Sequence, residues 1–179
     1  AASSVALALA QATDDNARAE IERLETLSDR AARAAQAQGA RVIYSAAPFD
    51  MDAVRAVLPH VSILAMNAGE AEQLFAGVPG DLPVQGLLIT RGADGAEYRD
   101  LTTAQVYEQP SFRVTPVDTT GAGDTFAGYF AAALDSGADI PAALRLASAA
   151  AAVKVTRAGA GDAIPTRAEV DAFLADQPI

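Results

Sequence analysis

Val117-Asp118-Thr119-Thr120-Gly121-Ala122-Gly123-Asp124-Thr125-Phe126 is the stretch on which the reading of this chain turns. An extended Thr115-Pro116-Val117 segment runs into two close glycines, and the spacing predicts an apolar helix beginning near Ala122. The opening turn of a helix leaves backbone N–H groups unpaired at its positive end, which suits a phosphate. Asp124 stands in that same turn, where bound phosphates would ordinarily repel a carboxylate. Phosphoryl transfer reconciles the two, because it needs an anion cradle and, beside it, a base for the attacking hydroxyl. The plainer alternative is a helix start with glycines for the turn and Asp124 as an N-terminal charge.

Working outward, the chain alternates short apolar runs with helical patterns. Val5–Ala10 reads as a buried strand or short helix, and Thr13–Asn16 supplies capping side chains. The helix that follows runs to Gln38, with Ile21, Leu24, Ser28, Ala31 and Ala35 on one face and Asp29/Arg33 as an i,i+4 pair. Arg41–Ser45 reads as a strand. After the turn at Pro48 and Phe49, Asp50 caps a helix carrying Val54, Val57 and Leu58 that Pro59 ends. Ser62–Met66 is the next strand, finishing at Asn67, and the following helix is expected to turn Ala71, Leu74 and Phe75 inward. A loop at Pro79, Gly80 and Pro83 leads to the strand Gly86–Thr90. Ala96–Arg99 and Gln105–Gln109 then read as a hairpin around Asp100–Thr103. Phe126, Phe130, Ala133 and Leu134 share a helix face, Pro141 opens a helix carrying Leu144, Ala147, Ala151 and Val155, and Thr166 begins a last helix with Val170 and Phe173. The pattern predicts an α/β fold, a mostly parallel sheet with helices on both faces, formed by residues 1–179 as a single domain.

Composition narrows the function. The chain has 179 residues, 51% of them hydrophobic, and a net charge of −10, with a pI near 4.4. No dense basic patch offsets that charge, which argues against nucleic acid or an anionic membrane as partner. With no cysteine and one histidine, His60, thiolate chemistry and a His-rich metal site are excluded. An acidic protein that handles nucleotide phosphates needs a metal and local N–H groups to do so. No run reaches the length of a membrane helix. The start, Ala1–Ala12, has an Ala-x-Ala end like a signal peptide but no basic leader, and reads better as a buried strand in a chain whose beginning is missing.

In open α/β sheets the ligand crevice lies beyond the carboxyl ends of the strands. Asn67 with Glu70, Thr90 through Gly95, and Gly121 through Asp124 all fall at such ends. Taken singly, the first is a helix cap and the second a pair of turn glycines. No G-x-x-x-x-G-K-[ST] is present, and Phe126 stands where a dinucleotide fingerprint needs a small residue.

Asp118–Phe126 resembles the C-terminal signature of the ribokinase-like, phosphofructokinase-B type sugar kinases. Asn67-Ala68-Gly69-Glu70 is similar to their N-x-x-E motif, and Thr90-Arg91-Gly92-Ala93-Asp94-Gly95 to their nucleotide-contacting T-x-G-x-x-G. Ala150–Ala160 resembles the ribokinase branch, and order and spacing agree across residues 41–175. The resemblance implies an ATP-dependent carbohydrate kinase acting on a sugar's primary hydroxyl, with ribose favoured, in the cytoplasm. Asp124 would be the general base, and the N–H groups of Gly121, Ala122 and Gly123 the anion hole. Asn67 and Glu70 would position Mg2+ through water. Thr90, Gly92, Asp94, Gly95, Gly123 and Asp124 would serve the nucleotide, and Ser148 falls where the family contacts adenine. A potassium ion would be held by Asp118, by the Thr120 carbonyl and by the carbonyls of Lys154, Arg157 and Gly159, with Ala163 at the last position where a hydroxyl is usual. A carboxylate that merely bonds its own loop is the alternative for Asp118. Sugar and ATP are the implied small-molecule partners, and a homodimer is a compatible assembly.

The N-terminal sugar-binding signature and the β-sheet lid of the family are not recognisable. Residues 3–16 resemble a strand leading to a sugar-contacting loop, with Asp15-Asn16 near its end, but the next helix arrives too soon. The chain is thus expected to be truncated or to carry a deletion. Alone, it should bind nucleotide weakly and phosphorylate sugar poorly for want of a lid that excludes water. A non-catalytic nucleotide-binding or interaction fragment is the second reading. Among acceptors, fructose, a 2-keto-3-deoxy sugar acid and a nucleoside stay open.

Overall fold

A computed structural model describes residues 28–47, 49–77 and 81–177. The expected Val5–Ala10 strand, the Thr13–Asn16 cap, Pro48, Pro79 and Gly80 lie outside the described residues. Contacts divide the chain into two compact units: residues up to Leu88 with Asp100–Thr103, and Ile89–Arg99 with the residues from Ala104 onward. Five strands are hydrogen-bonded in sequence order, β1 (Ile43–Ser45), β2 (Ile63–Asn67), β3 (Gly86–Thr90), β4 (Ala96–Asp100) and β5 (Val106–Gln109). The sheet is mixed and mostly parallel, and with six helices among the described residues the fold is α/β.

In the first unit, helix α1 (residues 28–37) precedes β1. Its packed face centres on Ala32, which is buried, whereas Ala31, expected inward, is exposed. Neighbouring alanines carry no signal for the phase of a helix. Here polar contacts set it: His60 Nδ1 lies 2.9 Å from Gln36 Oε1, and His60 Nε2 lies 3.8 Å from Asp29 Oδ1, both on the Ala32 side. The Asp29–Arg33 pair forms at 3.1 Å. Strands β1 and β2 are parallel, with Ile43 opposite Ile63 and Ser45 opposite Ala65. Ile63 to Met66 are all buried, the run expected of a parallel strand covered on both faces.

Asp50 caps α2 (Met51–Val57), its Oδ1 accepting from the Asp52 and Ala53 amides at 2.9 Å. Pro59 does not simply stop this helix. The chain tightens into a 3-10 turn, Leu58–His60, which proline tolerates because its missing N–H is not needed there. Helix α3 (Ala68–Gly77) starts directly after β2 and buries Glu70, Ala71 and Leu74. Phe75, expected inward, is 44% exposed. Burial of Glu70 rotates the inward face toward the helix start, leaving Phe75 on the flank.

The second unit holds the hairpin strands up to Arg99 and from Ala104, and the three last helices. β4 and β5 pair antiparallel with Ala96 opposite Gln109, as the sequence predicts, and Asp100 Oδ1 accepts from the Thr102 and Thr103 amides at the turn. Glu97 is buried between Arg91 and Arg99, and Arg99 Nη2 approaches it to 2.6 Å. Helix α4 (Ala122–Asp135) packs on α5 (Ile140–Val155), which also meets β5 and α6 (Arg167–Ala175). Phe130, Leu144, Ala147 and Val170 form the centre of that core. Thr166 and Glu169 close a capping box at the start of α6. Among the described residues no helix is long and apolar enough to cross a membrane.

Gly95 is the tightest point of this unit. Its φ is +96°, and a Cβ there would stand 2.1 Å from the Gln109 carbonyl oxygen and 2.9 Å from Pro110 Cα. Both obstacles are backbone and cannot swing aside. Replacement of Gly95 by alanine is therefore expected to destabilise the protein by at least about 2 kcal/mol, from the strained φ and the overlap together. Urea unfolding of the variant beside the parent protein measures it.

Candidate functional site

The turn into α4 is built from a carboxylate outward. Asp118 accepts the Thr120 amide on Oδ1 and the Gly159 amide on Oδ2, each at 2.9 Å, and so joins two loops 41 residues apart. These bonds, led by the Thr120 amide and hydroxyl, hold its carboxyl at about 2, well below the ordinary 3.8. The Val117 and Asp118 amides donate to the Val155 carbonyl at 2.7 and 3.1 Å, fixing the turn to the C-terminal end of α5. Beneath it Lys154, fully buried, donates from Nζ to the Asp118 carbonyl at 2.9 Å.

Gly121 then takes a left-handed conformation, φ 73° and ψ 11°, and α4 begins without a side-chain cap. That is the conformation for which glycine is the default residue. The Ala122 amide donates to the Thr119 carbonyl at 3.1 Å, and Thr125 closes the first helical bond to Gly121 at 2.9 Å. The Gly123 and Asp124 amides, in the first turn, have no acceptor inside the helix. Asp124 is exposed, and a Cβ on Gly123 would meet nothing within 4 Å. Space is thus open at Gly123, where an anion would approach.

Within the second unit a cavity of about 460 Å³ adjoins this opening. Its size is that of a small-ligand site. Thr90, Gly92, Gly95, Gly123 and Ser148, all expected to serve a nucleotide, line it together. Asp94, Gly121 and Asp124 are not among its lining residues. Sequence reading missed most of its apolar wall: Phe112, Val114 and Pro116 from the segment before the turn, Phe126 from α4, and Ala151 and Ala152 from α5. Alternation gave no signal for this segment, since Ser111 and Arg113 line the cavity beside Phe112, Val114 and Pro116. Phe112 is held from outside, edge-to-face on Phe173 at 5.4 Å and under the Arg145 guanidinium at 5.4 Å.

Asn67 and Glu70 belong to the first unit. They form a reciprocal cap at the start of α3, with Asn67 N–H donating to Glu70 Oε2 at 2.8 Å and Glu70 N–H to Asn67 Oδ1 at 3.0 Å. Burial pushes the Glu70 carboxyl above the ordinary 4.5, against the pull of the Asn67 amide. Among the described residues no group of three or more His, Cys, Asp or Glu is placed to hold a metal ion unaided.

The family profile described as "pfkB family carbohydrate kinase" matches residues 22–167. The chain belongs to this family. Among relatives of this pfkB-family chain, a ribokinase of Bacillus subtilis is 43% identical over 121 residues, 65% of this chain and 41% of that protein. The solved ribokinase of Arabidopsis thaliana, complexed with ribose and ATP, superimposes with a TM-score of 0.75 at 28% identity, over 86% of this chain and 53% of that one. A ribokinase II candidate from Escherichia coli, complexed with ATP and Mg2+, gives a TM-score of 0.71 at 27% identity, over 82% and 52%. The pfkB-family chain therefore spans about half the length of the proteins it matches.

The depressed carboxyl of Asp118 has a consequence for acid stability. A group whose folded pKa lies below its unfolded one stabilises fully above the unfolded value and loses that contribution as pH falls through the folded one. Between pH 3.8 and about 2, the parent protein should lose stability faster than an Asp118→Asn variant. Urea midpoints followed across that window test it, and parallel curves would contradict it.

Proposed function

We propose that this chain carries the nucleotide-binding and catalytic portion of an ATP-dependent carbohydrate kinase that phosphorylates a sugar's primary hydroxyl, with ribose the favoured acceptor. The observation that carries this reading is the uncapped start of α4, with the carboxylate of Asp124 beside free first-turn amides and a cavity of nucleotide size adjoining them. Family membership and the ATP-bound and ribose-bound neighbours support it.

The lining fits an adenosine. Small residues, Gly92, Ala151 and Ala152, leave flat apolar room for a base, and the Ser148 and Thr90 hydroxyls supply polar contacts. ATP supplies the γ-phosphoryl group, and Mg2+ screens its charge when both are bound. Asp124 accepts the proton of the sugar hydroxyl as that oxygen attacks, and ADP leaves from the opposite side. The amides of Gly121 and Gly123, aided by the helix start, stabilise charge on the phosphoryl oxygens in flight, whereas the Ala122 amide, expected in the same role, is spent on the Thr119 carbonyl. Asn67 and Glu70, each with one polar contact given to the cap of α3, would hold magnesium through water rather than directly. A cytoplasmic setting belongs to the same reading.

Phosphate transfer from ATP across a panel of ribose, fructose, a 2-keto-3-deoxy sugar acid and a nucleoside, for the protein and its Asp124→Asn variant, tests the assignment. A rate loss of about 10²–10⁴ is expected for removal of the base. Equal rates in the two would remove Asp124 from that role. Gly123→Ala separates ligand from fold. No atom obstructs the added methyl, and alanine favours a helix by up to about 1 kcal/mol over glycine. The variant should keep or raise its melting temperature while its transfer rate drops by about tenfold or more, since the methyl crowds the phosphate.

A further inference from the structure

Potassium, implied by the resemblance to the ribokinase branch, would meet residues that are already partly engaged. Both carboxylate oxygens of Asp118 already accept amides, from Thr120 and Gly159. The Lys154 carbonyl accepts the Arg157 amide at 3.0 Å and that of Thr156, closing the end of α5. Ala163 offers a buried methyl in place of an oxygen. A positive charge is nevertheless there. Lys154 is the only lysine of the chain, the other 12 of its 13 basic residues being arginine, and among the described residues it is the one basic side chain that is buried. Its ammonium meets the Asp118 carbonyl at 2.9 Å and attracts the Asp118 carboxylate. It also stands in the last turn of α5, where a cation is favoured by the helix dipole.

A buried ammonium is costly unless it is paired and hydrogen-bonded. A compact point charge on a flexible stem also fits where a planar guanidinium does not. In an arginine-rich chain, a lone lysine at this position marks a need for that geometry. We propose that the Lys154 ammonium is a built-in substitute for the monovalent cation, tying the Asp118–Thr120 turn to the C-terminal end of α5, so that the phosphate-binding turn is ordered without potassium. Lys154 is a positioning residue, and its significance for catalysis rests on the reading of this turn as the phosphate site.

Hydrogen exchange at the Thr120 and Gly159 amides reads the order of the turn directly. In the parent protein it should be the same in potassium and in tetramethylammonium, and the single lysine ¹⁵Nζ resonance should not move between them. Lys154→Ala, which removes the ammonium and opens its space, should speed exchange by about tenfold in tetramethylammonium, the scale of one hydrogen bond to a charged group, and potassium should reverse it. Lys154→Met keeps most of the stem's packing if the alanine variant folds poorly, and should show the same acceleration in tetramethylammonium. Potassium slowing exchange in the parent by about tenfold, or Lys154→Met matching the parent in tetramethylammonium, would overturn the proposal. ATP binding, measured alongside, keeps the two readings apart. An exchange pattern as expected without ATP binding supports the role of Lys154 and removes the kinase reading. Transfer activity that needs potassium does the reverse.

Discussion

One carboxylate holds the second unit's working turn in place. Asp118 takes two amides from loops far apart in sequence, Thr120 on one side and Gly159 on the other, and its own carbonyl rests on a buried ammonium. Everything after it follows from that anchorage. Once the turn is fixed to the end of α5, Gly121 must reverse the chain in a left-handed conformation, and α4 starts with open amides. Charge-assisted hydrogen bonds of this kind are roughly twice as strong as neutral ones, and three converge on one residue. The geometry of the opening at the start of α4 is therefore set by contacts made away from it.

The legible parts of the fold are those where side-chain pattern and turn chemistry agree. Gly86–Thr90 could be read because its apolar run ends at turn residues, and the hairpin because Asp100 bonds the amides that follow it. The start of α4 was legible from its paired glycines. Helix phase was not legible in α1, where Ala31 and Ala32 are chemically identical and a distant histidine decides between them. Phe75 misled because a large aromatic ordinarily marks the inner face, whereas here a buried carboxylate took that place. Both misses share a cause: a polar contact with a partner remote or unexpected in sequence overrode the apolar pattern.

The same division runs through the candidate site. Thr90, Gly92, Gly95 and Ser148 could be named from motif and register, and they do share one cavity. Its apolar wall could not, because Phe112, Val114 and Pro116 belong to a segment with no regular structure of its own. Lys154 was assigned for its backbone carbonyl, while the structure draws attention to its side chain. A burial of that kind is invisible in composition, since a lysine reads as a surface residue by default.

Gly95 carries one more implication. The Thr90–Gly95 turn and the segment that begins the cavity's apolar wall cross there in backbone contact, so the two sides of the cavity are welded at a point where no side chain can serve as a hinge. Neither side can be widened alone. Anyone enlarging the cavity has the helical face of Ala151 and Ala152 to work with, where volume can be exchanged without unpicking the crossing. The shape of the cavity is thereby delegated to α5, and the crossing serves as the fixed jaw of a vice whose other jaw is adjustable.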